Sequence, residues 1–341
     1  MSPISRRSAL GIMGTAAVTS LFGLPAIGQT RTRISVGALR FTSHAASFVA
    51  FERGYFEEAG FDVDFRFFQA AQPMAVAIAS GDADYAVTAI SGGLISLAEK
   101  GAVKVIGGAL SEEPGIYGQQ ILASNAAFDA GLTSPAMLDG RSFGITQAGS
   151  SFHYMGSKIA TAEGVSVKFK PLQKTGAIIG AIKSGQIDAW SIVPHIAKPL
   201  ADAGAVKIIG SVADYLPDYQ VTTIFTSATG ASEEAERNKA FLSALSRGAA
   251  DFNAALVDKT AGDAASEEMV RLIHKYVYTD RDYDKAAPSI INGAMRLNEG
   301  AAMNLSSIEN QIDWFKSEGL VKESITVDTV VDSSYVSIIG K

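Results

Sequence analysis

Residues 60–84 read GFDVDFRFFQAAQPMAVAIASGDAD and residues 164–188 read GVSVKFKPLQKTGAIIGAIKSGQID; overlaid at a constant offset of 104, without a gap, they agree at nine of 25 positions. The matched pairs are Gly60/Gly164, Val63/Val167, Phe65/Phe169, Gln69/Gln173, Ala77/Ala181, Ile78/Ile182, Ser80/Ser184, Gly81/Gly185 and Asp84/Asp188. Chance pairs up common residues such as Gly and Ala, but Gln, Phe and Asp in ungapped register point to a structural duplication.

Each copy has the same physical reading. A helix, 48–59 or 154–163, ends at a glycine suited to the left-handed position that closes helices. A strand with alternating apolar residues follows, Val63 to Phe67 or Val165 to Phe169. Then come a loop at Gln69 or Gln173, a second helix stopped by Ser80-Gly81 or Ser184-Gly185, and a short buried strand, Asp84 to Thr88 or Asp188 to Val193. Strands separated by helices in this order build parallel sheets with right-handed crossings. Another strand precedes each copy, Ile34 to Leu39 or Ser142 to Thr146, so the repeated unit is about a whole lobe. Val103 to Ala109 adds a strand to the first lobe; Tyr117 to Ala123 carries the chain into the second, and Val221 to Thr226 brings it back.

The expected architecture is therefore α/β with two lobes, each a mainly parallel sheet flanked by helices, joined by two crossing segments that form a hinge beside a cleft. Residues 31–114 make the first lobe and 115–218 the second. Residues 219–341 return to the first lobe and continue as a helical C-terminal portion packed mainly on it, with 325–341 left without an evident place.

The first 28 residues read as an export signal rather than part of the fold. Arg6 and Arg7 precede a weakly apolar run, Ala9 to Leu24, and small residues follow at Ala26 and Gly28. Ser5-Arg6-Arg7-Ser8-Ala9-Leu10 matches a twin-arginine signal, although paired arginines also occur in general secretory signals. Cleavage after residue 28 would take two arginines from 29 basic residues set against 35 acidic ones, moving the net charge from −6 to −8. Such a balance argues against nucleic-acid and anionic-membrane partners. The chain has no cysteine, which excludes disulfides, thiolate metal sites, cysteine nucleophiles and a lipidated anchor. No later run is apolar enough to span a bilayer, so a free periplasmic protein is expected, with a monomer the simplest state.

Four segments stand out: Gly54-Tyr55-Phe56-Glu57-Glu58-Ala59-Gly60-Phe61-Asp62-Val63, Ser80-Gly81-Asp82-Ala83-Asp84-Tyr85-Ala86, Leu138-Asp139-Gly140-Arg141-Ser142-Phe143-Gly144-Ile145 and Ala181-Ile182-Lys183-Ser184-Gly185-Gln186-Ile187-Asp188-Ala189-Trp190. They resemble ABC-transporter solute-binding proteins of the nitrate, sulfonate and taurine type, a group that includes thiamine-precursor binders. They occur in the family's order within residues 31–226. The resemblance implies a type II periplasmic-binding-protein fold that closes over a solute and delivers it to permease subunits.

Ligands of open parallel sheets sit beyond the carboxyl ends of the strands, near helix starts whose amides favour anions. In the first lobe that position belongs to Thr42, Ser43 and His44, with Ser43 placed to cap the next helix. In the second it belongs to Gln147, Gly149, Ser150, Ser151 and Phe152, a glycine-and-serine helix start rich in amide and hydroxyl donors. Gln69 and Gln173 stand at the ends of the second strands, as cleft residues or as polar turn residues. Thr88 and Ser91 follow the third strand of one lobe; Trp190 occupies the corresponding part of the other, as an aromatic wall or as core. Asp84 and Asp188 read as capping residues rather than ligand groups. Arg40, His153 and Lys174 are available positive groups. Hydroxyls and amides fit a sulfonate or carboxylate, and Phe41, Phe152 and Trp190 an apolar or aromatic remainder, so a small organic anion is expected.

Two rival functions use the same fold. An enzyme of the thiamine-pyrimidine type would need chemistry the sequence lacks. There is no cysteine, no Gly-x-Ser-x-Gly elbow, no phosphate loop and no His-Glu-x-x-His pair, and the four histidines have no metal-ligand spacing. No cofactor is expected. A periplasmic protein presenting its ligand to a membrane sensor is harder to separate from a transport component by sequence.

Overall fold

Alternating apolar residues in Thr32–Ala38 (β1) and Phe61–Phe67 (β2) let these segments pair in parallel over their whole length, from Thr32 against Phe61 to Ala38 against Phe67. The computed structural model describes residues 31–340; the expected export signal lies outside the described residues. Strand β3 (Tyr85–Thr88) is buried throughout and pairs with the other edge of β1. β4 (Val103–Ser111) ends the first pass. The chain then crosses to β5 (Gln120–Ser124), β6 (Ser142–Ile145), β7 (Lys168–Pro171), β8 (Ala189–Ile192) and β9 (Val206–Ser211), and returns in β10 (Gln220–Ser227).

Two five-stranded sheets result, in the orders β2-β1-β3-β10-β4 and β7-β6-β8-β5-β9. They are the same sheet built twice. In each, the single antiparallel strand, β10 or β5, is the one that arrives from the other lobe and inserts beside the third repeat strand.

The repeat-matched residues do matched work. Gly81 and Gly185 sit at φ 78° and 74°, the left-handed conformation that glycine adopts without steric cost, and end their helices there. Asp84 Oδ2 accepts the Ser35 N–H at 2.7 Å and the Ser35 hydroxyl at 3.1 Å. Asp188 Oδ2 accepts the Ser142 N–H at 2.8 Å and the Ser142 hydroxyl at 2.7 Å. Both aspartates thus brace neighbouring strands, in keeping with a capping role.

Several local expectations need correction. The first helix is not continuous over 48–59; it forms as Ala45–Glu52 and Tyr55–Glu58, because Gly54 turns left-handed at φ 74° between them. β7 starts at Lys168 rather than Val165, because its partner β6 begins only at Ser142 and the preceding turn takes the Ser166 backbone instead. β9 has no counterpart in the sequence reading.

The C-terminal portion begins with the long helix Ala235–Phe252 against Ala45–Glu52, where a Cβ on Gly248 would stand 2.3 Å from the Ala46 carbonyl. It also reaches the second lobe on two flanks. Tyr278 OH donates to the His195 carbonyl, and helix Tyr283–Asn292 packs on helix Pro194–Asp202. On the other flank, helix Leu305–Ser317 meets helix Ser151–Glu163 through Tyr154 OH to Asn310 (2.9 Å) and Trp314 Nε1 to Ser157 (3.0 Å). Residues near the C-terminus return to the first lobe, with Val331 bridging Val105 and Ile338–Ile339 (β12) pairing with Met303–Asn304 (β11).

Candidate functional site

Between the lobes, five helix starts converge on a cavity of about 60 Å³. Ser43 and His44 come from the 3-10 turn ahead of helix Ala45–Glu52; Ala70 and Ala71 start helix Ala71–Ser80; Ser150, Ser151 and Phe152 start Ser151–Glu163. Thr175 starts Thr175–Lys183, and Val193 precedes Pro194–Asp202. At four of these starts no side chain caps the helix, and at the fifth Ser150 accepts only the His153 N–H. The first amides of a helix lack internal partners, so the starts at Ala71, Ser151 and Thr175 turn free donors toward the cavity; Pro194 has no N–H and the Ala45 N–H is already given to the Thr42 carbonyl, so the other two starts add mainly the positive ends of their dipoles. Each such end favours a nearby anion by about 0.3–1 kcal/mol.

The two crossing strands supply the floor. Gln119 and Thr222 are buried there, and neither Gln119 Nε2 nor Thr222 Oγ1 has a partner. Buried polar atoms normally have partners, so this pair marks space shaped for a polar group. Thr88 and Thr146 add hydroxyls from the ends of the third strand of one lobe and the first strand of the other.

A second, wider cavity of about 590 Å³ adjoins the first and shares Leu39, Phe41 and Thr175 with it. Its walls are Phe67, Phe68, Ile179, Ile196, Pro199 and Leu200, with Arg40, Gln69, Lys183, His195, Tyr278 and Arg281 among them. No carboxylate lines either cavity. An acidic chain thus keeps its acidic groups out of the cleft.

Two histidines stand at the junction, on either side of Phe41, whose ring meets His195 edge-on at 5.0 Å and His44 at 6.0 Å. His44 Nδ1 accepts the Leu39 N–H at 3.4 Å, which leaves the proton on Nε2. Burial lowers both rings from 6.5 to about 3, with His44 adding to the effect at His195, so both are neutral donors or acceptors at neutral pH. Among the described residues no group of three or more His, Asp or Glu side chains is arranged to hold a metal ion.

A family model described as NMT1/THI5 like matches residues 41–255. The chain belongs to the NMT1/THI5-like family. Solved structures of the same fold include the periplasmic aliphatic sulphonate binding protein SsuA from Escherichia coli, at 16% identity and TM-score 0.68, covering 91% of this chain and 94% of that one. The periplasmic nitrate-binding protein NrtA from Synechocystis PCC 6803 is similar at 14% identity and TM-score 0.67, over 88% and 86%. The ligand-binding component of an ABC-type import system from Staphylococcus aureus, with zinc bound, is similar at 15% identity and TM-score 0.69, over 89% and 98%. A search of curated protein sequences finds no match. The likeness establishes the two-lobed periplasmic-binding-protein fold.

Within this NMT1/THI5-like chain, Ser43, His44, Thr88, Ser150, Ser151 and Phe152 lie together on the inner cavity, and Gln69 lies on the outer one. Ser43 sits inside the turn and does not cap the helix as expected. Six other candidates stand elsewhere. Thr42 is fully buried at the start of the turn and lines neither cavity. Ser91 caps its own helix through the Leu94 N–H at 3.2 Å and bonds Gln72 at 3.1 Å. Gln147 lines neither cavity, and the Gly149 carbonyl accepts the Gly92 N–H at 2.9 Å, joining the lobes. Gln173 is an exposed turn residue at φ 68°. Trp190 is fully buried behind Phe152, ring centroids 5.4 Å apart, so core packing is its observed role.

The sequence reading missed Gln119 and Thr222, and with them Tyr278 and Arg281 of the C-terminal portion. A signal for the first pair existed: a crossing strand passes under the cleft of any two-lobed fold, so polar residues at its ends are candidates. Nothing local marks the second pair.

Proposed function

We propose that the protein is the periplasmic solute-binding component of an ABC importer, capturing a small organic anion, a sulfonate or carboxylate, between its lobes and delivering it to permease subunits. The observation that carries this reading is the convergence of helix starts from both lobes on one pocket without a carboxylate. Capture rests on neutral donors: amides at the helix starts, the hydroxyls of Ser43, Thr88, Ser150 and Ser151, and the Gln119 amide. Contacts made to both lobes at once favour the closed arrangement by the difference in affinity between the two states. The family resemblance and the sulfonate and nitrate binders among the structural neighbours support the class of solute. Export through the N-terminal signal and action as a monomer complete the proposal.

The test is a thermal-shift screen of the purified protein against alkyl and aryl sulfonates, carboxylates, nitrate and thiamine precursors. A ligand at 100 times its dissociation constant adds about 2.7 kcal/mol to stability, a readily measured rise in Tm. One class of organic anion is expected to bind, and Ser151→Ala to weaken it by about tenfold, the worth of one charge-assisted hydrogen bond, with Tm of the free protein kept. Binding only by cations or neutral thiamine precursors would overturn the reading.

A further inference from the structure

The outer cavity is far larger than an entrance to a pocket of about 60 Å³ requires, and three cationic side chains, Arg40, Lys183 and Arg281, stand in its lining. Thr175, Gly176, Ile179 and Lys183 lie on one face of helix Thr175–Lys183. Thr175 touches both cavities, and Lys183 stands eight residues further, about 12 Å along the helix axis. Helix Pro194–Asp202 and its end present a parallel face of Ile196, Pro199, Leu200 and Ala203. Between these faces and the Phe67 and Phe68 rings the walls are apolar.

Arg40 and Arg281 join Lys183 in the lining from the first lobe and the C-terminal portion. Neither arginine is positioned by a carboxylate. The Arg40 guanidinium lies 3.7 Å over the Phe67 ring and donates to the Tyr276 carbonyl at 3.1 Å. That of Arg281 lies 4.6 Å over Tyr278. Tyr278 is held in the left-handed region at φ 58° while its hydroxyl reaches the His195 carbonyl of the other lobe. A tyrosine backbone there carries strain, which persists where surrounding structure enforces it, commonly at ligand sites. Aromatic stacking fixes a guanidinium without neutralising it, and with no carboxylate in the lining the cavity presents Arg40, Lys183 and Arg281 as its charged groups.

We propose that the solute is an elongated dianion: one anionic group in the inner pocket, an apolar body along helix Thr175–Lys183, and a second anionic group held by Arg40, Lys183 and Arg281. This deepens the anion-capture reading and rests on it. Both lobes then hold each end of the ligand, and binding at either end favours closure.

Calorimetric titration of the full chain with octane-1-sulfonate and octane-1,8-disulfonate tests the proposal, since the two differ only in the distal charge. The disulfonate is expected to bind about tenfold tighter, the worth of one charge-assisted hydrogen-bonded contact. That ratio is expected to fall toward one in Arg281→Gln and in Lys183→Gln, both exposed positions where substitution leaves the fold intact, checked by Tm. If the monosulfonate binds and the disulfonate binds no tighter, the second site is overturned while anion capture stands; a cation funnel acting only on the rate of entry gives this result. If the ratio survives both substitutions, the assignment of the outer cations is overturned. If neither compound binds, the second site falls together with sulfonate capture.

Discussion

Glu112 shows how much one buried side chain can bear on the hinge. It is 2% exposed in the first crossing segment, where its Oε1 accepts the Gln119 N–H at 3.0 Å and its own N–H donates to the Tyr219 carbonyl of the second crossing at 2.8 Å. Its Oε2 has no partner. Burial pushes the carboxyl from 4.5 up to about 7, against the lowering effect of the hydrogen bond from the Gln119 backbone. The folded protein therefore holds this proton more tightly than the unfolded chain does. Its contribution to stability is complete below about pH 4.5 and is lost as pH rises to about 7. His44 and His195 act in the opposite sense: their folded values of about 3 lie below the unfolded 6.5, so their contribution is complete above 6.5 and lost as pH falls. Glu112→Gln is accordingly expected to gain stability over the parent progressively from about pH 4.5 to 7, read as the difference in Tm between the two proteins, which cancels the histidine contribution. A constant difference across that range would show that Glu112 titrates normally.

At the scale of elements, the duplication makes a paired prediction. Asp84 and Asp188 hold the same place in the two lobes, each accepting a backbone N–H and a hydroxyl from the serine near the start of the first strand. Removing either carboxylate leaves a half-buried strand amide without its acceptor and takes one from the serine hydroxyl, a loss of about 1–3 kcal/mol. Asp84 also receives Arg237 at 3.0 Å, whereas Arg141 stands 4.0 Å from Asp188. Asp84→Ala is therefore expected to cost somewhat more than Asp188→Ala in chemical denaturation, with both variants clearly destabilised. If only one mattered, the two sites would share sequence without sharing a physical role.

For the whole molecule, the lobes are tied together at three places: Gly92 to Gly149 beside the pocket, Tyr278 to His195 on one flank, and Tyr154 and Trp314 with their partners on the other. These hydrogen bonds are few, and because water replaces part of each on opening, each contributes a net of about 0.5–1.5 kcal/mol. Tyr154→Phe combined with Trp314→Phe removes one flank's bonds while keeping an aromatic ring, smaller at 314, at each position. The free double variant is expected to show a larger radius of gyration in X-ray scattering than the parent, and saturating ligand to bring the two values together. Equal radii without ligand would mean that packing, not these bonds, sets the closed arrangement.

The sequence by itself determined the two-lobed α/β plan, because the features that encode it act over short range: apolar alternation along a strand, a left-handed glycine at a helix end, an aspartate bracing a neighbouring strand, each written twice at the same offset. It also marked the helix starts at Ser43-His44 and Ser150-Ser151-Phe152, since a loop that follows a strand and begins a helix is a local event. Tertiary structure decided which neighbours of those residues face the cleft. Thr42 is buried away from both cavities, Trp190 lies behind Phe152, and Gly149 is spent on joining the lobes, although Thr42 and Gly149 adjoin cavity residues in sequence and Trp190 shares a strand with one. Gln119, Thr222, Tyr278 and Arg281 reach the cavities only because distant segments, some of them more than two hundred residues apart, pack against one another. Side-chain direction toward a shared space is a property of that packing, and no local pattern of residues contains it.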